Sequence, residues 1–465
     1  MQILSALTAC DAPTIMAGTR AVLFLPPTPR GDLFTQDFPA AVSLAQTIAP
    51  GGLMVKLCLM RTTCLALLIC AAAIAPAQNF KSLMNFNKGN GEMGPYGPLI
   101  QGSDGNFYGT SEALVPVGSL GKAYKMTPEG ILTTLYSFCS QKNCSDGAFP
   151  SGGLIQAGNG NFYGVTYEGG SRNGGIIYEL TPSGKLTTLY SFCSQTNCAD
   201  GQGPVGGLTQ GTDGNFYGTT RAGGIETGLY NGTIFKITPS RQFTTLYSFC
   251  SQANCADGGA PQVSLVQASN GNFYGTTGQG GVSSYCVDPS IGCGTIFEIT
   301  PTGKFTTLYT FCSQPNCADG DFPYYSGLIQ ASNGNFYGTT YQGGANGNYG
   351  TVFEITTSGK LTTLYSFCAQ AGCADGESPS SGLVQGTNGN LYGTTLEGGT
   401  NCFDAYCGTV YEITTAGQLT TLHVFNPAVQ GANPTSLMQA TDGIFYGITT
   451  DGGNNDDGTI FSLSQ

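Results

Sequence analysis

The sequence predicts an all-β protein: a seven-bladed β-propeller of four-stranded antiparallel blades, with the ring closed by the first strand of the mature chain. Three observations carry this. One phrase recurs seven times at a spacing of 54 to 63 residues. Each recurrence brings four strand-like runs, and the last unit lacks a fourth run that the N-terminal side supplies. Periods near 50 with several strands each belong to propellers and related arrays.

The phrase is SDGNFYGT at Ser103, and it returns in close variants at Gly158, Thr212, Ser269, Ser332, Thr387 and Thr441. In the fifth unit the four runs are Gly327–Ala331 (A), Asn335–Thr340 (B), Gly350–Thr356 (C) and Lys360–Phe367 (D). β-Branched and aromatic residues dominate B to D, as pleated strands favour. An Asn-Gly or Asp-Gly pair joins A to B and supplies the positive φ of a tight hairpin. A Pro-then-Gly turn such as Thr181-Pro182-Ser183-Gly184 joins C to D. The seventh unit stops at Gly458–Leu463, a C strand, while Phe80–Phe86 aligns with the D pattern of Leu186–Phe192. The first mature strand therefore completes the last blade and leaves no open edge. Because both faces of a blade pack on neighbours, the paired Phe-Tyr of strand B is expected to be core.

Composition agrees with this architecture and excludes others. Among 465 residues there are 71 Gly and 23 Pro, with 9% charged and 40% hydrophobic residues. A disordered chain would be more charged and less apolar, and a helical bundle would hold far fewer glycines.

Residues 54–77 have the build of a signal peptide: Lys56 and Arg61, an apolar run from Cys64 to Ala75, and Ala75-Pro76-Ala77 before Gln78. The run is too short to span a bilayer. Residues 1–53 are then expected to be a non-native extension of the gene model, and 78–465 the propeller. From residue 78 onward there are 12 basic and 25 acidic side chains, a formal net charge of −13. Such a surface repels nucleic acid and anionic lipid.

The phrase D/N-G-N-F-Y-G-T-T, then Gly-Gly, then G-T-I-F-x-I-T-P-x-G-x-x-T-T-L-Y-x-F resembles the GloVer-type tandem repeat of secreted bacterial "choice-of-anchor" proteins across 80–465. More faintly, the P…L…D-G-N…Y placement is similar to the NHL-type blade. The resemblance implies export and often a C-terminal sorting anchor, but the sequence ends at Gln465 with no apolar tail or basic cluster. It offers no catalytic residues to carry over.

Fourteen cysteines follow residue 77, in close pairs. Cys139/Cys144, Cys193/Cys198, Cys250/Cys255, Cys312/Cys317 and Cys368/Cys373 follow strand D, and Cys286/Cys293 and Cys402/Cys407 lie between B and C. The segment Phe425–Gly431 has lost both members of its pair together. An exported, even, pairwise set reads as seven disulfides, each clasping its own loop. Zinc would need four ligands per site, and His423 is the only His.

In a four-stranded meander the D–A and B–C connections share one face. B–C segments there run from 8 to 16 residues, whereas the A–B turn has one length throughout. Binding usually lives on variable loops of a rigid scaffold, so this face is the expected ligand face. Its candidates are Asp146, Asp200, Asp257, Asp319 and Asp375, each in a Cys-x-Asp-Gly turn. A ring of carboxylates would suit calcium or a cationic ligand; alternatively each Asp caps its own turn. The loop tyrosines Tyr167 and Tyr341, with Tyr230, Tyr285, Tyr349 and Tyr406, suit stacking on sugars. Asp456 and Asp457 are weak metal candidates, and calcium is the one cofactor considered. Seven glutamines two residues beyond the strand A Leu (Gln101, Gln156, Gln210, Gln267, Gln330, Gln385, Gln439) either line a channel or satisfy backbone groups between blades. His423 stands where other D strands have Tyr, which points to packing, and no P-loop, Rossmann or HExxH pattern occurs.

The expected function is a secreted or cell-surface binding propeller, monomeric, with a polysaccharide or an envelope protein as partner. A carbohydrate-active hydrolase or lyase using acids on the same face is the alternative, and a structural envelope protein a third.

Overall fold

The computed structural model describes residues 79–87, 94–111, 120–224, 231–286, 291–324, 327–400, 402 and 407–464. The segments assigned above as N-terminal extension and signal peptide lie outside them. Seven antiparallel sheets form the blades. Blade 1 has strand A at Pro95–Gln101, B at Phe107–Ser111, C at Lys122–Met126 and D at Leu132–Ser137. Blades 2 to 5 repeat this order, with B strands at Phe162–Glu168, Phe216–Thr220, Phe273–Thr277 and Phe336–Thr340. Blade 6 splits strand A into Glu377–Pro379 and Val384–Gln385.

Blade 7 takes A, B and C from Ala432–Gln439, Phe445–Asp451 and Thr459–Ser464, and its fourth strand is Asn79–Asn85. That strand pairs antiparallel with strand C from Asn79↔Ser464 to Asn85↔Thr459. The expected closure is therefore present. In every blade the C–D pairing shifts register by one residue, as between Ile234 and Phe235 or Val352 and Phe353. Such bulges increase local twist and help successive blades follow the ring.

Three seams hold each blade to the next, and each also spans the ends of the chain. The first is aromatic. The B-strand Tyr of one blade packs on the B-strand Phe of the next, with centroids 4.1 Å apart for Tyr108–Phe162 and 4.0 Å for Tyr217–Phe273, except that blade 6 has Leu391 in place of Phe. Tyr446–Phe107, at 4.2 Å, joins blade 7 to blade 1. These rings are buried, so the Phe-Tyr phrase is core.

The second seam is a glycine against a proline. Each glycine that opens strand C has positive φ, and a Cβ on it would meet the Pro at the start of the next blade: 2.8 Å from Pro204 Cδ for Gly175, and 3.0 Å from Pro95 Cδ for Gly458. Only Gly satisfies both the backbone and the close approach.

The third seam is the glutamine series. Every Gln Nε2 donates to the turn carbonyl of its own blade, as in Gln101 to Gly105 at 3.2 Å and Gln439 to Gly443 at 2.9 Å. In six of the seven, all but Gln210, the Oε1 accepts a backbone N–H from the preceding blade's turn, as from Ser103 N to Gln156 at 2.7 Å and from Thr441 N to Gln101 at 2.9 Å. These amides satisfy backbone groups between blades.

Candidate functional site

The loop face is built from the five-residue cysteine loops. All seven pairs are disulfides with the pairing read from the sequence. Both cysteines of each D–A pair take left-handed φ between 50° and 60°, which L residues adopt only when held there. Each loop reaches the next blade: Cys144 O accepts from Gly170 N at 2.9 Å, and Cys198 O from Gly224 N at 3.0 Å. Pro427 O does the same for Gly453 N at 2.7 Å in the loop without cysteines.

The pairs differ in depth. Cys286, Cys293, Cys312, Cys317 and Cys407 are buried beneath the loops, and Cys286 lines the wall of a cavity there. Cys407 shows why. It is bonded to Cys402, its N–H lies 3.0 Å from Cys402 Sγ, and it directly precedes Gly408, whose N–H bonds Gly398 O. The entry to strand C, which starts at Thr409, draws Cys407 inward, while Cys402 stays half-buried on the loop. Cys407 is therefore a core residue and offers no atom to a ligand on the face.

The Asp of each loop turns inward. Asp200 is 0% exposed and accepts from Tyr190 Oη at 2.8 Å, Ser194 N at 2.9 Å, Ser194 Oγ at 2.8 Å and Gln195 N at 3.1 Å. Asp146 and Asp257 repeat these four bonds, while Asp319 and Asp375 make three: the Tyr hydroxyl and two backbone N–H groups. Burial opposes ionisation of Asp146, yet the donors from Ser140, Tyr136 and Gln141 hold its carboxyl below the usual range. Both oxygens of each Asp thus bind the protein's own loop, and the five carboxylates do not form an open ring.

The cysteine-free loop rebuilds this arrangement with different atoms. Gln430 Oε1 accepts from Asn426 N at 3.0 Å and faces His423 Nε2 at 3.2 Å, so His423 stands in for Tyr and Gln430 for Asp. The His423 ring stacks on Phe80 at 3.9 Å. Burial pushes its pKa down to about 4, so the imidazole is neutral at pH 7.

Asp456, one of the two weak metal candidates, accepts Gly452 N at 3.1 Å. Asn173 holds the corresponding Gly169 N in blade 2 at 2.9 Å, so Asp456 performs a turn role that a neutral amide also performs. Asp457, its neighbour, ends the same B–C segment.

What the sequence did not single out is the axial mouth. Each A strand enters at an X-Pro step, and in blades 2 to 6 the X residue bonds back to the previous blade's B–C loop. Examples are Phe149 N to Leu120 O at 2.6 Å and Ser378 N to Tyr349 O at 2.8 Å. The residue after that Pro and the residue after strand B converge around the axis. On blades 1 to 5 they line a cavity of about 380 Å3 that includes Tyr96, Tyr167, Glu168, Arg221, Gln262 and Tyr324. An adjoining cleft of about 230 Å3 shares Tyr167, Glu168 and Arg221 and reaches Gln202. The Gln262 amide nitrogen is buried there with no hydrogen-bond partner among the described residues.

Tyr341 lies further round the mouth, beside a pair of acids. Glu377 and Glu397 are direct cross-strand partners. Burial, then Glu397 and Asp375, raise the pKa of Glu377; burial raises that of Glu397. Burial and then Glu397 raise the phenol of Tyr341. Tyr285 and Tyr349 are exposed, and Tyr230 and Tyr406 lie outside the described residues.

The opposite face carries a second repeated cluster. Where the A–B turn has Asp, strand C offers Lys: Asp104 with Lys125, at 2.8 Å, and Asp213 with Lys236. Where the turn has Asn, strand C offers Glu: Asn159/Glu179, Asn270/Glu298, Asn333/Glu354 and Asn388/Glu412. In either form one carboxylate accepts the B-strand Tyr hydroxyl, as Asp104 from Tyr108 at 2.9 Å and Glu298 from Tyr274 at 2.8 Å. Blade 7 has Asp442 opposite Ser462, with Tyr446 on Asp442 at 3.1 Å. Burial works against Asp104, yet the Lys125 ammonium and the Asn106 and Tyr108 donors hold it well below the usual carboxylate range.

A search among curated proteins finds no match. Among solved structures, the chain is similar to the extracellular domain of a putative one-component system from B. thetaiotaomicron, at 12% identity, 82% of this chain, 40% of that chain and a TM-score of 0.47. It is also similar to a gluconolactonase from Xanthomonas campestris, at 12% identity, 79% and 98% coverage and a TM-score of 0.39. A luciferin-regenerating enzyme matches at 11% identity, 84% and 96% coverage and a TM-score of 0.42. Likenesses of this grade carry no functional argument. A protein-family profile described as the Gloeobacter/Verrucomicrobia repeat matches residues 73–287 and 287–465. That span takes in every blade, and the chain belongs to the Gloeobacter/Verrucomicrobia repeat family.

Proposed function

We propose that the chain is an exported binding propeller that holds a saccharide at the axial mouth of its loop face. The observation that carries this reading is the convergence of three tyrosines, one arginine and an unpartnered amide nitrogen on a cavity of about 380 Å3. Ligand pockets of roughly 300–1,000 Å3 combine apolar rings with a few oriented polar groups. Tyr96, Tyr167 and Tyr324 offer faces for a sugar ring, while Arg221 and Gln262 offer donors to its oxygens. Seven disulfides suit an oxidising compartment. A start at Gln78 suits the first described strand, which begins at Asn79. N-terminal sequencing of the exported protein should return Gln78, and a start within 1–53 would refute the assignment of those residues as an extension.

A glycan array followed by calorimetry tests the binding. Y167A and Y324A should each weaken the best ligand about tenfold, the scale of one lost stacking contact. Full affinity in both would move the site away from the axis. The Glu377–Glu397 pair supports a second reading, hydrolysis or lysis of a saccharide, because paired acids whose pKa values rise are suited to proton transfer. Turnover that E377Q or E397Q abolishes would favour it, and binding without turnover would dismiss it.

A further inference from the structure

The B–C loop of blade 4 brings two disulfides together. The Sγ atoms of Cys293, Cys312 and Cys317 and a carboxylate oxygen of Asp321 all lie within 4.8 Å of one another, and all four residues are buried. Cys293 is bonded to Cys286, and Cys312 to Cys317. Cys286 lines a cavity of about 540 Å3 with Val282, Ser283 and Ile291, and Val282 at its edge is 62% exposed. Asp321 is 1% exposed, and among the described residues no side chain donates to its carboxylate, which only the neighbouring Phe322 backbone N–H approaches. A buried carboxyl so poorly satisfied is destabilising. The corresponding positions after the other Asp-Gly turns hold Ala148, Gln202, Gly259 and Glu377. Only Glu377 among these carries an acid, and it faces the single disulfide Cys368–Cys373.

We propose that Cys286, Cys293, Cys312, Cys317 and Asp321 form a thiol–disulfide exchange site that accepts electrons from an external dithiol at Cys286, with Asp321 as the proton carrier. One thiolate of the dithiol attacks Cys286 Sγ, the Cys286–Cys293 bond breaks, and its electron pair leaves on Cys293. Asp321 protonates that sulfur, then takes the proton back as the Cys293 thiolate attacks Cys312. The Cys312–Cys317 bond breaks, and Cys317 departs with the proton from Asp321. The second thiol of the dithiol displaces Cys286. The dithiol leaves as a disulfide, and the protein keeps a Cys293–Cys312 bond with thiols at Cys286 and Cys317, a gain of two electrons and two protons. Attack on Cys317 instead exchanges the last two roles.

A thiolate leaving into buried, apolar surroundings needs a proton donor, and transfer is easiest when donor and thiol have similar acidity. Burial pushes the Asp321 carboxyl up to about 7, so it retains a proton close to neutrality.

Wild-type protein is exposed to limiting dithiothreitol at pH 7, quenched in acid at intervals, alkylated and peptide-mapped. Peptides linking Cys293 to Cys312 or Cys317 should appear at least tenfold faster than thiols at Cys193 and Cys198. D321N should remove most of that lead while leaving the Cys193–Cys198 rate unchanged. In C286S, which leaves Cys293 unpaired, the same cross-links should form with no reductant at all. Absence of these cross-links from both proteins overturns the proposal. So does a D321N rate equal to wild type, because it removes the proton carrier.

Discussion

Replacing Asn388 with Asp should destabilise blade 6 by about 2 kcal/mol, and adding E412K should return most of the loss. Asn388 Nδ2 donates to Tyr392 Oη at 2.7 Å and to Glu412 Oε1 at 3.1 Å, and the same Oε1 accepts Tyr392 at 2.7 Å and Asn390 Nδ2 at 2.6 Å. The substitution exchanges a donor for a second carboxylate oxygen at that separation. Coulomb's law at 3.1 Å gives about 1.3 kcal/mol in bulk water and several-fold more at lower effective dielectric; the exposed turn places the cost near about 2 kcal/mol. E412K alone strips Tyr392 and Asn390 of their acceptor and should cost about 1–2 kcal/mol. The double variant has the Asp–Lys form that blade 1 holds with Lys125 and Asp104 at 2.8 Å. Urea unfolding of the four oxidised proteins closes the cycle, and the coupling energy should be about 2–4 kcal/mol in favour of the double variant. The sign with pH is also fixed. Repulsion between the two carboxylates is relieved when they share a proton, so the N388D penalty is present at pH 7, fades as pH falls toward about 4 and is gone below it. A coupling below about 0.5 kcal/mol, or a penalty indifferent to pH, would refute the reasoning.

The remaining predictions concern the loops, the seams and two buried titratable groups. His423 has a folded pKa of about 4, below its unfolded value of about 6.5. The unfolded chain therefore binds the extra proton, and stability should drop by on the order of 2–3 kcal/mol as pH falls from 6.5 to 4; H423F should flatten that limb in urea titrations. Asp321 has the opposite sign, with its folded pKa raised to about 7. Its contribution is intact below about pH 4 and is lost as pH rises through 7, so D321N should be the more stable protein at pH 8 and nearly equal at pH 4. D200N keeps the shape of the cap but weakens four charge-assisted acceptances, and calorimetry should show a loss of about 2–4 kcal/mol. G175A drives a Cβ into Thr166 O and places it 2.8 Å from Pro204 Cδ at a φ of +91°, and soluble yield should fall sharply, whereas G214A meets no described atom within 4 Å and should cost only the backbone strain of its +78° φ, about 1–3 kcal/mol.

Blade number, ring closure and disulfide pairing were legible because each depends on short, local, repeated phrases. A strand that is missing after Leu463 and present at Phe80 needs no tertiary knowledge to match. The depth of the sulfurs was not legible, because the spacing that pairs Cys402 with Cys407 is silent on which of the two strand C pulls inward. The direction of the loop carboxylates was less legible than the pairing. A Cys-x-Asp-Gly turn has the same letters whether its Asp faces solvent or the Tyr ten residues earlier, as Asp200 faces Tyr190. The Asp–Lys and Asn–Glu alternation on the other face was readable, since aligning the A–B turns with the C strands displays it. It goes unnoticed when strand C is inspected only for apolar packing. The axial mouth was not legible. Tyr96, Tyr167, Arg221, Gln262 and Tyr324 come from five blades, and only the closed ring brings them to one cavity. Likewise, Asp321 looks like a surface acid until the fold buries it against three sulfurs.

The seams explain where the chain is free to differ from itself. A residue that takes part in a seam is constrained by two blades, so the Gly opening strand C, the Pro entering strand A and the strand A Gln recur in every unit. In blades 2 to 7 the residue immediately after the B phrase takes part in none of these seams. At that position the units read Glu112, Tyr167, Arg221, Gly278, Tyr341, Leu396 and Thr450, with one residue type used twice. Packing against equivalent neighbours would favour equivalent side chains, as it does for the buried Phe and Tyr five and four positions earlier. Seven equivalent positions of the repeat with almost no shared chemistry are what an asymmetric ligand would require, because each blade meets a different part of it. The ring therefore departs from seven-fold repetition at the mouth, where Tyr167 and Arg221 line the central cavity. The proposed binding at the axis predicts that departure, whereas a purely structural ring does not require it.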